Sequence, residues 1–189
     1  MKTKKLVFVC SLILFGLGSV NSAIAQTDNV TLNLKFKPVQ SIVVATGTEV
    51  VDIIYDEASD YTASGLSQTV NDHLTIFSTG GFLVTVKAES DFTSSSTGAV
   101  AIPASDVKVT ATNGSDNLND YGTGGLPEVT LSTTSAQNFI ASGTGGTALK
   151  FNVKYDNTGG ASGNYINKYI YDDTETVYAA TVTYTIATN

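Results

Sequence analysis

The sequence predicts an all-β protein, an antiparallel β-sandwich of about eight to ten strands. Alternation of apolar and polar residues with a period of two dominates the chain after residue 25. Segments rich in Gly, Ser, Thr and Asn separate the alternating stretches and predict turns. No long window shows the period of an amphipathic helix, which argues against a helical fold.

The first 25 residues have the three parts of a bacterial secretion signal. Lys2, Lys4 and Lys5 form a positive start, residues 6–17 are apolar, and residues 23–25 offer the small residues that a signal peptidase requires. The apolar stretch is shorter than the roughly 20 residues of a membrane-spanning helix. We therefore expect residues 1–25 to be removed and residues 26–189 to form one secreted domain, in the periplasm, on the outer surface or outside the cell.

The first predicted strand follows directly after this signal. Its apolar side chains fall on one side of an extended backbone: Val30, Leu32, Leu34 and Phe36. The side chains between them are polar, so the pattern predicts a half-buried strand. The sequence leaves open whether this strand pairs within its own chain or with a neighbouring subunit.

The next predicted strands are Ile42–Val44 and Val50–Tyr55, whose continuous apolar character indicates burial on both faces or a central position. Residues 56–67 contain the one stretch compatible with a short helical turn. Leu74–Phe77 and Phe82–Lys87, joined by Ser78-Thr79-Gly80-Gly81, predict a β-hairpin. Five further strands are predicted towards the C-terminus: Val107–Thr112, Val129–Ser132, Lys150–Tyr155, Tyr165–Tyr171 and Val177–Ile186.

Composition narrows the classes of function. Residues 26–189 contain no Cys, Trp, Met or Arg, and 7 lysines face 17 acidic residues, a net charge of −10. Such a surface repels nucleic-acid phosphates and anionic lipid, so neither is an expected partner. Without cysteines, stability must come from a buried core rather than from disulfides or cysteine-bound metal. We also expect no transmembrane segment.

The sequence gives little indication of a catalytic site. His73 is the single histidine, and no G-x-S-x-G elbow accompanies it. Residues 105–108 fit S-x-x-K and residues 115–117 fit S-D-N, but the first lies in a strand pattern and K-T-G is absent after the signal. We therefore expect a protein that is not an enzyme and that has no cofactor.

Two acidic groups raise the question of a calcium site. One is Asp52, Asp56, Glu57 and Asp60, and the other is Asp172, Asp173 and Glu175. Neither matches a defined calcium loop. Solvated acidic turns are the expected interpretation, and calcium binding stays open.

The predicted strand 165–171 is unusually rich in tyrosine. If it is extended, one face carries Tyr165, Asn167, Tyr169 and Tyr171. Tyrosines combine flat apolar area with a polar tip, which suits sugar rings or a protein partner. Cross-strand packing of tyrosines inside the fold explains the same pattern.

Both ends of the domain resemble secreted bacterial β-sandwiches. Residues 177–186 are similar to the terminal strand of fimbrial or spore-coat-U-type subunits and of WxL-like cell-wall-binding domains. Residues 29–38 resemble the N-terminal strand by which pilin subunits complete one another. The resemblance implies an immunoglobulin-like or pilin-like sandwich. The Trp-x-Leu motif, the pilin disulfide and the penultimate tyrosine of chaperone-assembled pilins are missing.

Together these features predict a secreted, non-enzymatic structural or adhesive protein of the cell surface that self-associates as a fimbrial-type subunit. The assembly residues would be Val30, Leu32, Leu34 and Phe36. The alternative is a peptidoglycan- or glycan-binding module that uses Tyr165, Asn167, Tyr169 and Tyr171.

Overall fold

The computed structural model describes residues 26–115, 128–167 and 175–189. The predicted signal, residues 1–25, lies outside the described residues. The chain divides into two compact units, Met1–Phe36 and Lys37–Asn189. In the first unit, residues 26–36 form neither helix nor strand, and every one of them is exposed.

The second unit contains two antiparallel β-sheets, which confirms the all-β class. One sheet has five strands in the order β1-β2-β7-β4-β5, and the other has three in the order β6-β3-β8. The strands are β1 (Gln40–Val44), β2 (Leu66–Ser78), β3 (Phe82–Ala88), β4 (Val107–Asn113), β5 (Val129–Thr130), β6 (Gln137–Ser142), β7 (Gly146–Asn157) and β8 (Val182–Thr188).

The inward faces of both sheets share one hydrophobic core. Leu74, Ile76 and Phe151 come from the five-stranded sheet, and Phe82 and Ile140 come from the three-stranded sheet. All five side chains are fully buried. Burial of one such side chain contributes about 1.5–3 kcal/mol of stability. Because Cys10 is the single cysteine, no disulfide can form within the chain, and this core is the main stabilising element.

Strands β2 and β7 form the longest pairing and carry a bulge. The register shifts between Val70 and Leu74, where Asp72 adopts a positive φ of 51°. Its carboxylate accepts hydrogen bonds from the Ser115 N–H (2.8 Å) and from Lys150 Nζ (3.4 Å). The bulge turns both His73 and Leu74 inward, which breaks the simple alternation of the strand.

The predicted hairpin at residues 74–87 is wrong. Both of its strands exist, but β2 belongs to the five-stranded sheet and β3 to the three-stranded sheet. Each strand already has two neighbours, because β1 and β7 flank β2 while β6 and β8 flank β3. Thr79-Gly80-Gly81 therefore connects the two sheets.

Four other strand predictions need correction. Val30–Phe36 is not a half-buried strand, since it is exposed and has no partner among the described strands. Val50–Tyr55 belongs to no described sheet, and β1 is an edge strand whose Val43 is 56% exposed, not a central strand. Tyr165 lies in a turn at residues 164–167 instead of starting a strand.

Several other predicted elements are confirmed. The strands at Val107, Val129, Lys150 and the C-terminus are confirmed as β4, β5, β7 and β8. The short helical turn is confirmed as α1 (Ala58–Thr62). Asp60 holds its start by accepting hydrogen bonds from the N–H groups of Asp56 (3.1 Å) and Glu57 (2.9 Å), which lower the pKa of the Asp60 carboxyl.

Strand β6 was not predicted because a bulge hides its alternation. Phe139 and Ile140 are adjacent in sequence, yet both are buried. The pairing register with β3 shifts between Val84 and Thr85, opposite these residues. An extra residue on one strand lets two neighbouring side chains face the core.

We expect Gly145→Ala to destabilise the protein strongly. A Cβ atom at Gly145 would collide with the backbone carbonyl of Ser78, which cannot move without shifting β2. Overpacking of this kind costs about 1–3 kcal/mol. Gly143 is the matched control, because a Cβ there meets nothing within 4 Å. Urea unfolding of both variants tests the prediction, and equal losses would contradict it.

Candidate functional site

The second unit contains a cavity of about 640 Å³, called the cleft below. One part of its wall is the segment 49–55, and another is residues 175–184, which include the start of β8. Its aromatic lining consists of Tyr55, Tyr61, His73, Phe92, Tyr155, Tyr165, Tyr178 and Tyr184. A cavity of this size can hold a small ligand or several side chains of a peptide.

The segment Val50–Tyr55 belongs to no sheet in the described part of the chain. Val51, Ile53 and Tyr55 are half-buried, whereas Val50 and Ile54 are 78% and 62% exposed. In the described part of the chain, the backbone groups of residues 50–54 make no hydrogen bond. The segment therefore has the side-chain pattern of a strand without the pairing of one.

Strand β8 is an edge strand of the three-stranded sheet. It pairs with β3 from Val182 to Thr188, and no other described strand bonds to it. Val182 and Tyr184 turn inward to the core and line the cleft. The cleft wall thus includes an edge strand, β8, and the segment 49–55, which belongs to no described sheet.

A chain of hydrogen bonds connects the two sheets beside the cleft. His73 of β2 lies 2.9 Å from the Thr48 hydroxyl through Nδ1 and 2.9 Å from the Tyr155 hydroxyl through Nε2. Tyr155 of β7 in turn lies 2.6 Å from the hydroxyl of Tyr184 on β8. Since β7 and β8 belong to different sheets, the chain is a polar tie across the core.

The donor in each of these hydrogen bonds follows from the bond that Thr48 makes at one end of the series. Thr48 donates its hydroxyl proton to the Ala45 carbonyl at 2.7 Å, so it must accept from His73 Nδ1–H. The Nε2 atom of neutral His73 then accepts from Tyr155, whose oxygen accepts from Tyr184. Every hydroxyl proton in the chain has an acceptor.

Burial sets the protonation of these groups. It lowers the pKa of His73, and the nearby Glu49 carboxylate opposes that shift only in part. Burial also raises the pKa of Tyr155 and Tyr184, so both phenols stay protonated at neutral pH. The tie therefore consists of uncharged groups.

A second tyrosine cluster lies at another part of the cleft wall. The Tyr55 ring centroid is 5.1 Å from that of Tyr61 and 5.9 Å from that of Tyr165. The Tyr165 hydroxyl lies 3.0 Å from Asp106 Oδ2 and 2.9 Å from Asn157 Oδ1. Burial raises the pKa of Tyr55 to about 12, and that of Tyr165 rises for the same reason.

Carboxylates surround the aromatic lining. Glu49, Asp52 and Glu175 line the cleft and are exposed residues. The Glu49 carboxylate accepts a hydrogen bond from the Gly47 N–H at 2.6 Å. The cleft thus combines an apolar, aromatic interior with a negatively charged rim, which suits an apolar segment that carries positive charge.

The arrangement around His73 differs from a nucleophile-activating triad. Both ring nitrogens bond to hydroxyls and neither bonds to a carboxylate. The Thr48 hydroxyl donates to a backbone carbonyl, so His73 is not placed to take its proton. The geometry provides structure rather than general-base chemistry at this histidine.

The predicted assembly residues lie in the first unit, away from any sheet pairing. Val30, Leu32, Leu34 and Phe36 are 94%, 83%, 74% and 89% exposed. Four large apolar side chains on seven consecutive residues are unusual on a solvated surface. Their role in assembly stays a prediction.

The predicted glycan-binding residues are distributed differently from the expectation. Tyr165 is 4% exposed and faces the core side of the turn, while Asn167 is exposed with a positive φ of 58°. The two do not share the face of a strand. Tyr169 and Tyr171 lie outside the described residues, so their part of the prediction is unaffected.

Two further searches concern metals and membranes. Among residues 26–115, 128–167 and 175–189, no group of three or more His, Cys, Asp or Glu side chains is placed to hold a metal ion. Asp172 and Asp173 lie outside that set. The helices in the same ranges are all too short or too polar to cross a bilayer.

Neither protein-family models nor curated protein sequences match this chain. The physical features of the cleft and of the N-terminal segment therefore carry the functional argument.

Sequence reasoning missed the cleft and the polar tie. The tie joins residues 48, 73, 155 and 184, which are brought together only by the sheet order. The available signal was the isolated His73 at a strand position next to polar Asn71 and Asp72. A histidine there requires hydrogen-bond partners if it is buried.

We expect Tyr155→Phe to cost more stability than Tyr184→Phe. Loss of the Tyr155 hydroxyl leaves both His73 Nε2 and the Tyr184 O–H without a partner, which costs about 2–3 kcal/mol. Loss of the Tyr184 hydroxyl removes one donor from the end of the chain and costs about 1 kcal/mol. Urea unfolding at pH 7.5 measures both, and the reverse order would contradict the assigned bond directions.

We also expect the free energy of unfolding to fall as the pH falls below about 6.5, the ordinary pKa of histidine. Because the folded state lowers the pKa of His73, the unfolded chain binds more protons in this range, and acid favours unfolding. His73→Gln, which lacks the titration, should show a flatter profile between pH 7.5 and 5.5. Identical slopes for the two proteins would contradict the assignment.

Proposed function

We propose that this protein is a secreted, non-enzymatic structural or adhesive subunit of the bacterial cell surface that self-associates through residues 30–36. The observation that carries the proposal is the exposure of four alternating apolar side chains on an unpaired segment. The signal predicted at residues 1–25 supports an extracytoplasmic location.

The energetics favour association over permanent exposure. Transfer of each Val, Leu or Phe side chain out of water contributes about 1.5–3 kcal/mol, so burial of all four contributes about 6–12 kcal/mol before the cost of association. A segment that adds a strand to a neighbour also gains main-chain hydrogen bonds. Both gains are absent while residues 26–36 stay unpaired.

The two-sheet architecture is compatible with a pilin-like sandwich. In the described part of the chain, residues 26–36 belong to no strand, and β8 is an edge strand whose one hydrogen-bonded strand neighbour is β3. Edge strands can pair with another chain, and natural proteins usually block them with charge, proline or a covering element. An edge strand together with an exposed apolar segment supports assembly between subunits.

The glycan-binding alternative has less support. A stacking platform must present its aromatic rings to the ligand, and Tyr165 is buried with its hydroxyl bonded inside the protein. Of the two described residues, Tyr165 and Asn167, Asn167 is the one that is accessible to solvent. Self-association is therefore the better-supported function.

We expect Leu32→Asp/Leu34→Asp to abolish multimers while leaving the second unit folded. Buried aspartates would cost far more than the leucines contribute, so the segment could no longer insert. Thr31→Asp/Asn33→Asp is the matched control, because it adds the same charge on the opposite side of the extended segment. This control should still assemble.

Size-exclusion chromatography with light scattering, supported by negative-stain images, distinguishes the outcomes. Multimers of the wild type and of the control, with monomers of the leucine variant, support the proposal. A monomeric wild type, or multimers in all three proteins, would refute it.

A further inference from the structure

We infer that the cleft binds a small organic cation, an ammonium group carried on an apolar body. The site lies within the second unit, and the inference does not depend on self-association through residues 30–36. Three features of the cleft support it: its aromatic interior, the negative charge of its wall, and tyrosine hydroxyls that already donate their protons within the protein.

The first feature is the interior of the cleft. Its volume of about 640 Å³ falls in the range of small-molecule binding sites. Val51, Ile53 and Val182 contribute aliphatic surface, and Tyr55 and Tyr184 are two of the aromatic residues in the lining. The face of an aromatic ring attracts both apolar groups and cations. The interior therefore favours a ligand that combines an apolar body with positive charge.

The second feature is the charge of the wall. Glu49, Asp52 and Glu175 line the cleft, and none of the described lining residues is a lysine. Arginine is absent from residues 26–189. A cleft whose charged groups share one sign raises the local concentration of ligands of the opposite sign. The wall therefore attracts cations and repels carboxylates and phosphates.

The negative potential also reaches the aromatic lining. Burial raises the pKa of Tyr55, and neighbouring groups that include the Asp60 and Asp106 carboxylates raise this pKa further. At His73, the Glu49 carboxylate opposes the lowering of the pKa by burial. Both effects are those of nearby negative charge. A cation therefore meets a favourable potential inside the cleft as well as at its rim.

The third feature is the hydrogen bonding of the lining. Four of its tyrosines donate their hydroxyl protons to oxygen or nitrogen atoms of the protein itself: Tyr61, Tyr155, Tyr165 and Tyr184. The bonds of Tyr155 and Tyr184 form the polar tie, and Tyr165 donates to Asp106 or Asn157. A phenol oxygen that donates its proton can still accept a hydrogen bond. These groups suit a ligand that donates, as an ammonium does.

Other classes of ligand fit these features less well. A carboxylate or a phosphate would lie among Glu49, Asp52 and Glu175 without a cationic partner in the described lining. A neutral apolar molecule would fill the interior without using the charge of the wall. An organic cation uses the aromatic rings, the carboxylates and the acceptor oxygens together.

The first test titrates the wild-type protein at pH 7.5 with three compounds that share a phenyl ring and two further carbons but differ in charge: 2-phenylethylammonium, 2-phenylethanol and phenylacetate. Chemical shifts in NMR spectra report the dissociation constants. We expect the cation to bind at least about tenfold more tightly than the other two, a difference of about 1.4 kcal/mol. Failure of the cation to bind, or equal affinity of the cation and either other compound, would overturn the inference.

The role of the wall is tested with Glu49→Gln/Asp52→Asn, which removes two charges and keeps the shape of both side chains. Glu89→Gln/Glu128→Gln is the matched control, because it removes two charges of exposed residues outside the cleft. The first protein should lose most of its preference for 2-phenylethylammonium over 2-phenylethanol, and the control should keep it. The same preference in both proteins would overturn the inference.

Location is tested with Ala180→Trp and Ala179→Trp. Ala180 lines the cleft, whereas Ala179 is exposed and is not part of the lining. The first substitution should fill the cleft and abolish binding of 2-phenylethylammonium, and the second should preserve it, with circular dichroism as the check on folding. Equal binding by the two folded proteins would overturn the inference, and the carboxylate variants decide it if Ala180→Trp does not fold.

Discussion

Extended backbone needs hydrogen-bond partners, and this constraint governs the whole structure. Strands β2, β3, β4 and β7 each satisfy it with two neighbours, and the core forms where their apolar faces meet. Residues 30–36 belong to no strand in the described part of the chain, and their apolar side chains are exposed. The proposed function follows from the idea that this segment gains a strand partner and burial in a neighbouring copy of the chain.

The polar tie links the two sheets through side chains. Tyr184 on β8, Tyr155 on β7 and His73 on β2 join them by directional bonds where no described backbone pairing does so. Hydroxyls and a neutral imidazole can be buried with little electrostatic cost when every donor has an acceptor. The tie thereby holds β8 against the five-stranded sheet.

The sequence predicted the fold class and the strands whose alternation is regular, including β4, β7 and β8. Prediction from the sequence failed where pairing between distant segments, and not the local pattern, determines the structure. The alternation at Val30–Phe36 predicts a half-buried strand, but these residues form no strand and are exposed, because no local signal says whether a partner exists in the same chain. The turn at residues 79–81 resembles a hairpin turn in composition, and only the neighbours of β2 and β3 determine that it connects two sheets. The bulges at Asp72 and opposite Phe139 hide buried residues from a period-two search.

Backbone hydrogen exchange measures the central claim most directly. Amides of residues 30–36 should exchange rapidly in the dilute monomer and become protected when multimers form. Rapid exchange of these amides in the multimer would contradict the account.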